Sequence, residues 1–270
     1  MPTTTARSGT LAPLLTAAAM ALAIAGAFLG SGAVVGTSVQ DVADGWLSAD
    51  GTILAPGSGA FSIWSIIYLG LLLYAVVQFL PSRRDDALHR KLRGWAAASG
   101  LLNALWLGVV QLGWLGVSVV VIFALLATLC VILVILRRTP ESNLLDRVVL
   151  GGTFGLYLGW VSVAAVANVS ALLASSGFTG FGLPVPVIAG AVLLVVAAIG
   201  VGTAVYSRGR LGPGVALAWG LGWITGGRSA GGLESTPVAV TAASAAALVL
   251  VAVVAARLVT HGPAAEVARS

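Results

Sequence analysis

The sequence carries very little charge for its length. Only 9% of its 270 residues are Asp, Glu, Lys or Arg, whereas soluble domains average about 25%. No such residue, and no histidine, lies in the middle of any of its long apolar segments. Ionisable groups within a bilayer are costly and mark proton relays and ion-coupled sites. Their absence argues against an ion-coupled transporter, a proton pump or an intramembrane hydrolase.

Cysteine and histidine are also scarce. Cys130 is the one cysteine, and the two histidines, His89 and His261, flank apolar segments. A disulfide needs two thiols, and cysteine-based metal sites need several. We therefore predict no metal site and interpret Cys130 as a small buried hydrophobe. The apolar segments contain no Ser/His/Asp arrangement and no phosphate-binding glycine loop, so no catalytic residue is assigned.

Apolar residues are what the sequence has in abundance. They make up 59% of the chain, and the mean hydropathy is +1.04. A helix needs about 20 apolar residues to cross a bilayer. The sequence therefore predicts an all-α integral membrane protein. Eight apolar segments fit this length approximately: 11–36, 60–80, 95–112, 114–136, 148–174, 184–206, 211–227 and 237–259.

The order of the basic residues favours eight spans. With the N-terminus in the cytoplasm, 13 of the 14 basic residues fall on the inside and Arg228 alone on the outside. We therefore expect a multi-pass protein of the bacterial inner membrane with both termini cytoplasmic. The glycine-rich seventh segment would leave seven spans if it were re-entrant. The basic residues are scattered over short loops, so nucleic acid is not an expected partner.

Two segments allow a second interpretation. Segment one could be a cleaved signal peptide, although it is long for one, and Gly26 and Gly30 suit close helix packing. The external loop 37–59 carries Asp41, Asp44 and Asp50, but their spacing lacks the calcium-loop pattern, so a solvated loop is expected. The short Gly113–Trp114 connection predicts a helical hairpin of segments three and four.

Aromatic and neutral polar residues follow one face of several segments. At 100° per residue, Tyr157, Trp160, Ala164 and Asn168 share a stripe about 80° wide. An amide in hydrocarbon needs a partner helix or a cavity. We therefore expect Trp160 and Asn168 to face a cavity shared with segments two and three, although periodicity alone fits helix packing equally well.

The motifs on three segments resemble those of the tryptophan-rich sensory proteins, the bacterial relatives of the mitochondrial translocator protein (TspO/MBR). Asn103-Ala104-Leu105-Trp106 is similar to the family's Asn-x-x-Trp, and Trp64-Ser65-x-x-Tyr68 to its Trp-Thr-x-x-Tyr. Tyr157-x-x-Trp160, followed by Ala164 and Asn168, looks like the family's last helix. The resemblance covers about residues 10–176.

The resemblance implies a five-helix bundle that encloses an aromatic pocket and binds porphyrins, sterols or aromatic drugs. Residues 1–180 would form this bundle, and residues 181–270 an appended module of three helices. In that module Trp219 and Trp223 serve either a pocket or packing, and packing is the favoured interpretation. By resemblance, the ligand-binding residues are Trp64, Tyr68, Asn103, Trp106, Tyr157, Trp160, Ala164 and Asn168.

This chain departs from the family pattern at two positions. Ser62 stands where the family has a proline, and Ser58 stands where it has a tryptophan linked to porphyrin photochemistry. We therefore expect a binder or sensor of flat hydrophobic ligands rather than an enzyme, while light-dependent porphyrin degradation stays open. Haem iron is usually ligated by His, Met, Cys or Tyr, and the predicted bundle offers few of these at depth, namely Tyr68, Tyr157 and Cys130. Metal-free porphyrin is therefore favoured over haem.

Two rival functions are a facilitative transporter of a neutral apolar metabolite and a structural membrane partner. The expected partners are membrane lipid and a small hydrophobic ligand, and a homodimer is allowed. No cofactor is assigned beyond a porphyrin or tetrapyrrole as ligand.

Overall fold

The described part of the chain is built of α-helices joined by short turns. The computed structural model describes residues 11–30, 39, 42–230 and 232–261. Its long helices in this part are α1 (Leu11–Gly30), α2 (Ile63–Val77), α3 (Ala87–Gln111), α4 (Leu115–Arg138), α5 (Thr153–Ser175), α6 (Val185–Tyr206), α7 (Leu211–Ser229) and α8 (Thr236–His261). The sequence predicts a helix at each of these places, and residues 31–36 of the first segment lie outside the described residues.

Local chemistry explains where these helices begin and end. α3 begins eight residues before the predicted segment because the Asp86 side chain caps it, accepting a hydrogen bond from His89 N at 3.0 Å. α3 and α4 are joined through Gly113, whose φ of +71° suits glycine. The predicted hairpin of these two helices is confirmed.

Five helical segments of the described residues are long and apolar enough to cross a membrane. These are Ser58–Val77, Leu115–Arg138, Leu144–Ser175, Val185–Tyr206 and Thr236–Thr260. Among the rest, α3 begins with a charged turn and α7 is a 19-residue helix rich in glycine. The protein is thus a multi-pass helical membrane protein, while the total of eight spans stays a prediction.

Helix α5 is the central element of the bundle. It extends a short helix, Leu144–Asp146, and a π-helical turn, Arg147–Gly152. α5 packs against α4 on one side, α7 on another and α2 on a third. α1 packs mainly against α3. α5 therefore packs against early helices of the chain, α2 and α4, and also against α7, one of the last three.

Small residues let α7 approach α5 closely. A side chain at Gly155 or Gly159 would meet Pro213, and one at Gly220 would meet Val163. Close backbone approach through glycine is a common device in membrane helix packing. The last three helices are therefore packed onto α5 along the length of α7. The boundary predicted at residue 180 thus separates two parts of the chain that are in close contact.

Polar contacts join the last three helices and their flanking turns to the earlier part of the chain at both ends of the bundle. At one end, Arg210 donates two hydrogen bonds to the Glu141 carboxylate, at 2.6 and 2.8 Å, and one to Leu136 O at 2.8 Å. At the other end, the buried Arg228 donates to Ala49 O at 2.6 Å and to Leu233 O at 3.1 Å. Arginine suits such sites because its planar fork offers several donors at once.

Candidate functional site

The indole of Trp64 lies among four other aromatic rings from α2, α3 and α5. It stacks on Tyr68 with ring centroids 5.2 Å apart and on Trp106 at 6.4 Å. Tyr157 and Trp160 meet it edge-on at 5.7 and 6.3 Å. These separations are those of favourable aromatic pairs. We call this group, together with Asn103, Ala164 and Asn168, the aromatic cluster.

Asn168 is the polar centre of the aromatic cluster. Its Oδ1 accepts hydrogen bonds from Trp106 Nε1 at 3.1 Å and from Ser118 Oγ at 2.9 Å. Its Nδ2 donates to Ala164 O at 2.8 Å. The amide thus holds α3, α4 and α5 together at one point.

Two further polar contacts fix the tyrosines. Asn103 Nδ2 donates to the Tyr68 hydroxyl at 3.1 Å, and the Tyr157 hydroxyl donates to Ser99 O at 3.2 Å. The Tyr157 hydroxyl uses its proton in this contact and would lose the bond on binding iron, whereas the Tyr68 hydroxyl oxygen acts as an acceptor.

Two buried polar atoms of the cluster have no hydrogen-bond partner among the residues that the structure describes. They are Trp160 Nε1 and Asn103 Oδ1, in side chains that are 1% and 0% exposed. A buried polar group without a partner costs about 1–3 kcal/mol. One of these atoms is a donor and the other an acceptor, so the cluster offers unused hydrogen-bonding capacity of both kinds.

The structure brings the eight residues predicted as ligand-binding into one region. Trp106, Tyr157, Trp160, Asn168 and Asn103 are buried, as is Ala164, whereas Trp64 and Tyr68 are half-buried. Trp160 and Asn168 are buried inside the bundle and do not face lipid, but the cavity expected in front of them is not the one that the structure shows, whose lining includes neither residue. Rings of Phe61 and Trp64 lie against Trp160, so the space in front of it is occupied by aromatic side chains.

Sequence reasoning missed three residues of this region. Phe61 lies edge-on to Trp160 at 5.6 Å, and Ser118 and Ser99 take part in the polar contacts described above. Ser118 is a neutral polar residue in the apolar run of α4, which is a signal of the same kind as Asn168. Ser99 contributes a backbone oxygen, for which no sequence signal exists.

A separate polar group lies at the start of α3 and α5. Asp146 Oδ1 lies 3.0 Å from Arg83 Nε and 3.2 Å from His89 Nε2, and its Oδ2 accepts from Asn143 Nδ2 at 2.7 Å. Burial lowers the pKa of His89 below its ordinary value, although Asp146 acts in the opposite direction. This group anchors the segment that precedes α5 to the start of α3.

Other predicted positions are placed by the structure as follows. Cys130, predicted to be buried, is exposed on α4, because it lines a cavity that is open on one side. Trp219 Nε1 donates to Ala60 O at 3.0 Å and Trp223 packs edge-on against Trp219, which supports a packing role for both. Asp50 accepts a hydrogen bond from Gly232 N, and Asp41 lies outside the described residues.

These observations define a class of protein: a multi-pass helical membrane protein in which aromatic rings and polar side chains meet at one buried site. A family model described as TSPO-like protein matches residues 13–255, which is most of the chain. The chain belongs to this family. The match continues past residue 180 and includes the three C-terminal helices. Searches of curated proteins and of solved structures found no match.

Proposed function

We propose that the protein binds a flat, conjugated, apolar ligand of the porphyrin or tetrapyrrole type at the aromatic cluster. It would sense or handle this ligand rather than convert it. The observation that carries the proposal is the pair of unpartnered polar atoms, Trp160 Nε1 and Asn103 Oδ1, inside a group of aromatic rings. Aromatic faces stack on a conjugated ring, and a few polar atoms orient its polar edge.

The half-buried members of the cluster define the side from which a ligand enters. Trp64 and Tyr68 are stacked on one another and are less buried than Trp106, Tyr157 and Trp160. A flat ring that displaces Trp64 from its neighbours would keep the same stacking geometry against Trp106. The ligand ring would therefore take the place of the Trp64 indole against Trp106, so that Trp106 keeps a stacked partner.

The engaged hydroxyls favour a metal-free ligand. Tyr68 and Tyr157 are the tyrosines of the aromatic cluster, and both hydroxyls are hydrogen-bonded. Iron ligation by Tyr157 removes the phenolic proton and with it the bond to Ser99 O, which costs about 1 kcal/mol or more in a buried site.

The proposed topology has eight spans, both termini in the cytoplasm of a bacterium, and the protein in the inner membrane. The end contacts support it: Arg210 with Glu141 and Arg83 with Asp146 join segments on the predicted inside. Arg228 with Ala49 joins segments on the predicted outside. A contact between an inside and an outside segment would be incompatible with this arrangement.

Titration of the purified protein with protoporphyrin IX in detergent micelles tests the proposed function. Because four tryptophans or tyrosines surround Trp64, we expect saturable quenching of tryptophan fluorescence with one ligand per chain. Palmitic acid, which is apolar but has no conjugated ring, serves as the control and should neither quench nor compete. Quenching that does not saturate would refute the proposal. Displacement of the porphyrin by an equal concentration of palmitic acid would refute it as well.

A further inference from the structure

Helix α6 and the α4–α5 pair form the two walls of a long cleft. α6 packs mainly against α8, with a smaller contact to α7. Between α6 and α5 lies a half-enclosed cavity of about 660 Å³. Its floor is formed by Pro213, Gly214 and Leu217 of α7. We call this space the lateral cleft.

The lateral cleft runs along a complete face of α6. The lining residues of this helix follow helical spacing: Val185, Ile188, Val192, Val196, Ile199 and Thr203. From the first to the last of them the helix rises about 27 Å, at 1.5 Å per residue. The hydrocarbon core of a bilayer is about 30 Å thick. The cleft is therefore as long as the apolar part of the membrane is deep.

The walls of the lateral cleft are apolar. None of its lining residues is charged. Of its few hydroxyl groups, that of Ser162 donates to Leu158 O at 2.8 Å and is thereby satisfied within its own helix. Apolar cavities stay free of water because water finds no polar partners there. The mainly apolar lining therefore suits an apolar molecule.

The cleft opens towards the side of the bundle. Phe123 of α4, Leu173 of α5 and Ile199 of α6 line it and are between 41% and 57% exposed. All three lie on candidate membrane spans, so the open side faces lipid. The volume is within the range of about 300–1,000 Å³ found for small-molecule pockets. It is too small for a spanning helix of about 10 Å diameter and 30 Å length.

We propose that the lateral cleft binds an acyl chain of a membrane phospholipid. The chain enters through the open side and lies between α6 and α5, with its headgroup at the membrane surface. This site is distinct from the aromatic cluster, because Ser162, Val166 and Val169 line the cleft on the side of α5 opposite to Trp160 and Asn168. The bound chain completes the packing between the first five helices and the last three.

Two tryptophan substitutions on α6 form a matched test. Val192 lines the cleft, whereas Val195 is 59% exposed on another face of the same helix. Val192→Trp fills the cleft, and Val195→Trp adds the same side chain outside it. After extensive detergent washing and solvent extraction, mass spectrometry should find about one phospholipid per chain in wild type and Val195→Trp. We expect at least a fivefold loss in Val192→Trp.

The single cysteine offers a second test that leaves the folded protein unmutated. Cys130 lines the cleft and is exposed, so alkylation with N-benzylmaleimide after folding should displace the retained lipid.

Photo-crosslinking provides a third test. In vesicles of phosphatidylglycerol and phosphatidylethanolamine, phosphatidylglycerol with a mid-chain diazirine should crosslink to cleft residues of α4, α5 and α6. Unchanged lipid retention after both Val192→Trp and alkylation, or crosslinks spread equally over α1 and α2, would overturn the proposal.

Discussion

Asn168 shows how one side chain can organise a site within a membrane. In hydrocarbon an amide has no water to bond with, so each of its hydrogen bonds must come from the protein. Asn168 meets this demand with Trp106, Ser118 and Ala164, from three helices. It therefore fixes the orientation of the Trp106 indole, and with it one face of the aromatic cluster.

We expect Asn168→Leu to destabilise the protein by about 1–3 kcal/mol, because it leaves the buried Trp106 Nε1 without an acceptor. Scanning fluorimetry in detergent would show this as a lower apparent Tm. Ser175→Ala, on the same helix, is the control, since the Ser175 hydroxyl is exposed and bonds only to Leu172 O. Equal melting temperatures for the two variants would contradict the structural role assigned to Asn168.

At the scale of the helices, much of the aromatic cluster was predictable. The stripe on α5 follows from helical periodicity alone, because residues at i, i+3 and i+7 share a face. That Trp64 and Asn103 lie opposite this stripe came from the family resemblance, since periodicity within one helix carries no information about its neighbours.

The lateral cleft was not predictable from the sequence. The residues of α6 are apolar on every face, so no polar stripe marks the side that lines a cavity. The exposure of Cys130 was missed for the same reason: in a membrane, an apolar setting does not distinguish the protein interior from lipid. The contacts of Trp219 with Ala60 were missed because they join residues that are 159 positions apart.

Glycine-to-alanine substitutions on α5 and α3 should have opposite effects on stability. Gly159→Ala places a methyl group against Pro213 O, Ala216 and Leu217, so we expect the apparent Tm to fall. Gly108→Ala on α3 meets no atom within 4 Å and should leave stability unchanged or raise it by up to about 1 kcal/mol, through helix propensity. Scanning fluorimetry of both variants checks the pair. A Gly159→Ala variant as stable as Gly108→Ala would show that α5 and α7 do not pack as described.

At the scale of the whole molecule, the last three helices are part of one membrane bundle. The family match extends to residue 255, and the glycine contacts of α7 together with the contacts of Arg210 and Arg228 join these helices to the first five. They provide one wall and the floor of the lateral cleft. The resemblance noted in the sequence covered about residues 10–176, because its motifs are residues of the aromatic cluster, whereas the family match includes most of the last three helices as well.

The eight-span topology predicts the location of both termini and of the loop that contains Trp46. Reporter fusions at the C-terminus should be active only when the reporter works in the cytoplasm, because the basic residues follow the positive-inside rule. A fusion within residues 47–50 should report the outside. A C-terminus found outside would refute eight spans and support seven.

The central claim is that the aromatic cluster binds a flat conjugated ring, and the affinities of tryptophan variants for protoporphyrin IX test it most directly. Trp160 is fully buried in the cluster, whereas Trp95 on α3 is 42% exposed.

Trp160→Ala removes a stacking face worth about 1 kcal/mol or more, which corresponds to an affinity about fivefold lower. Trp160→Phe keeps an aromatic face but lacks the indole N–H, so it should recover only part of this loss, and Trp95→Ala should bind as wild type does. The shift of the porphyrin absorbance band gives Kd without relying on the tryptophans themselves. Equal losses for Trp160→Ala and Trp95→Ala, or undiminished binding by Trp160→Ala, would contradict the assignment of the ligand to this cluster.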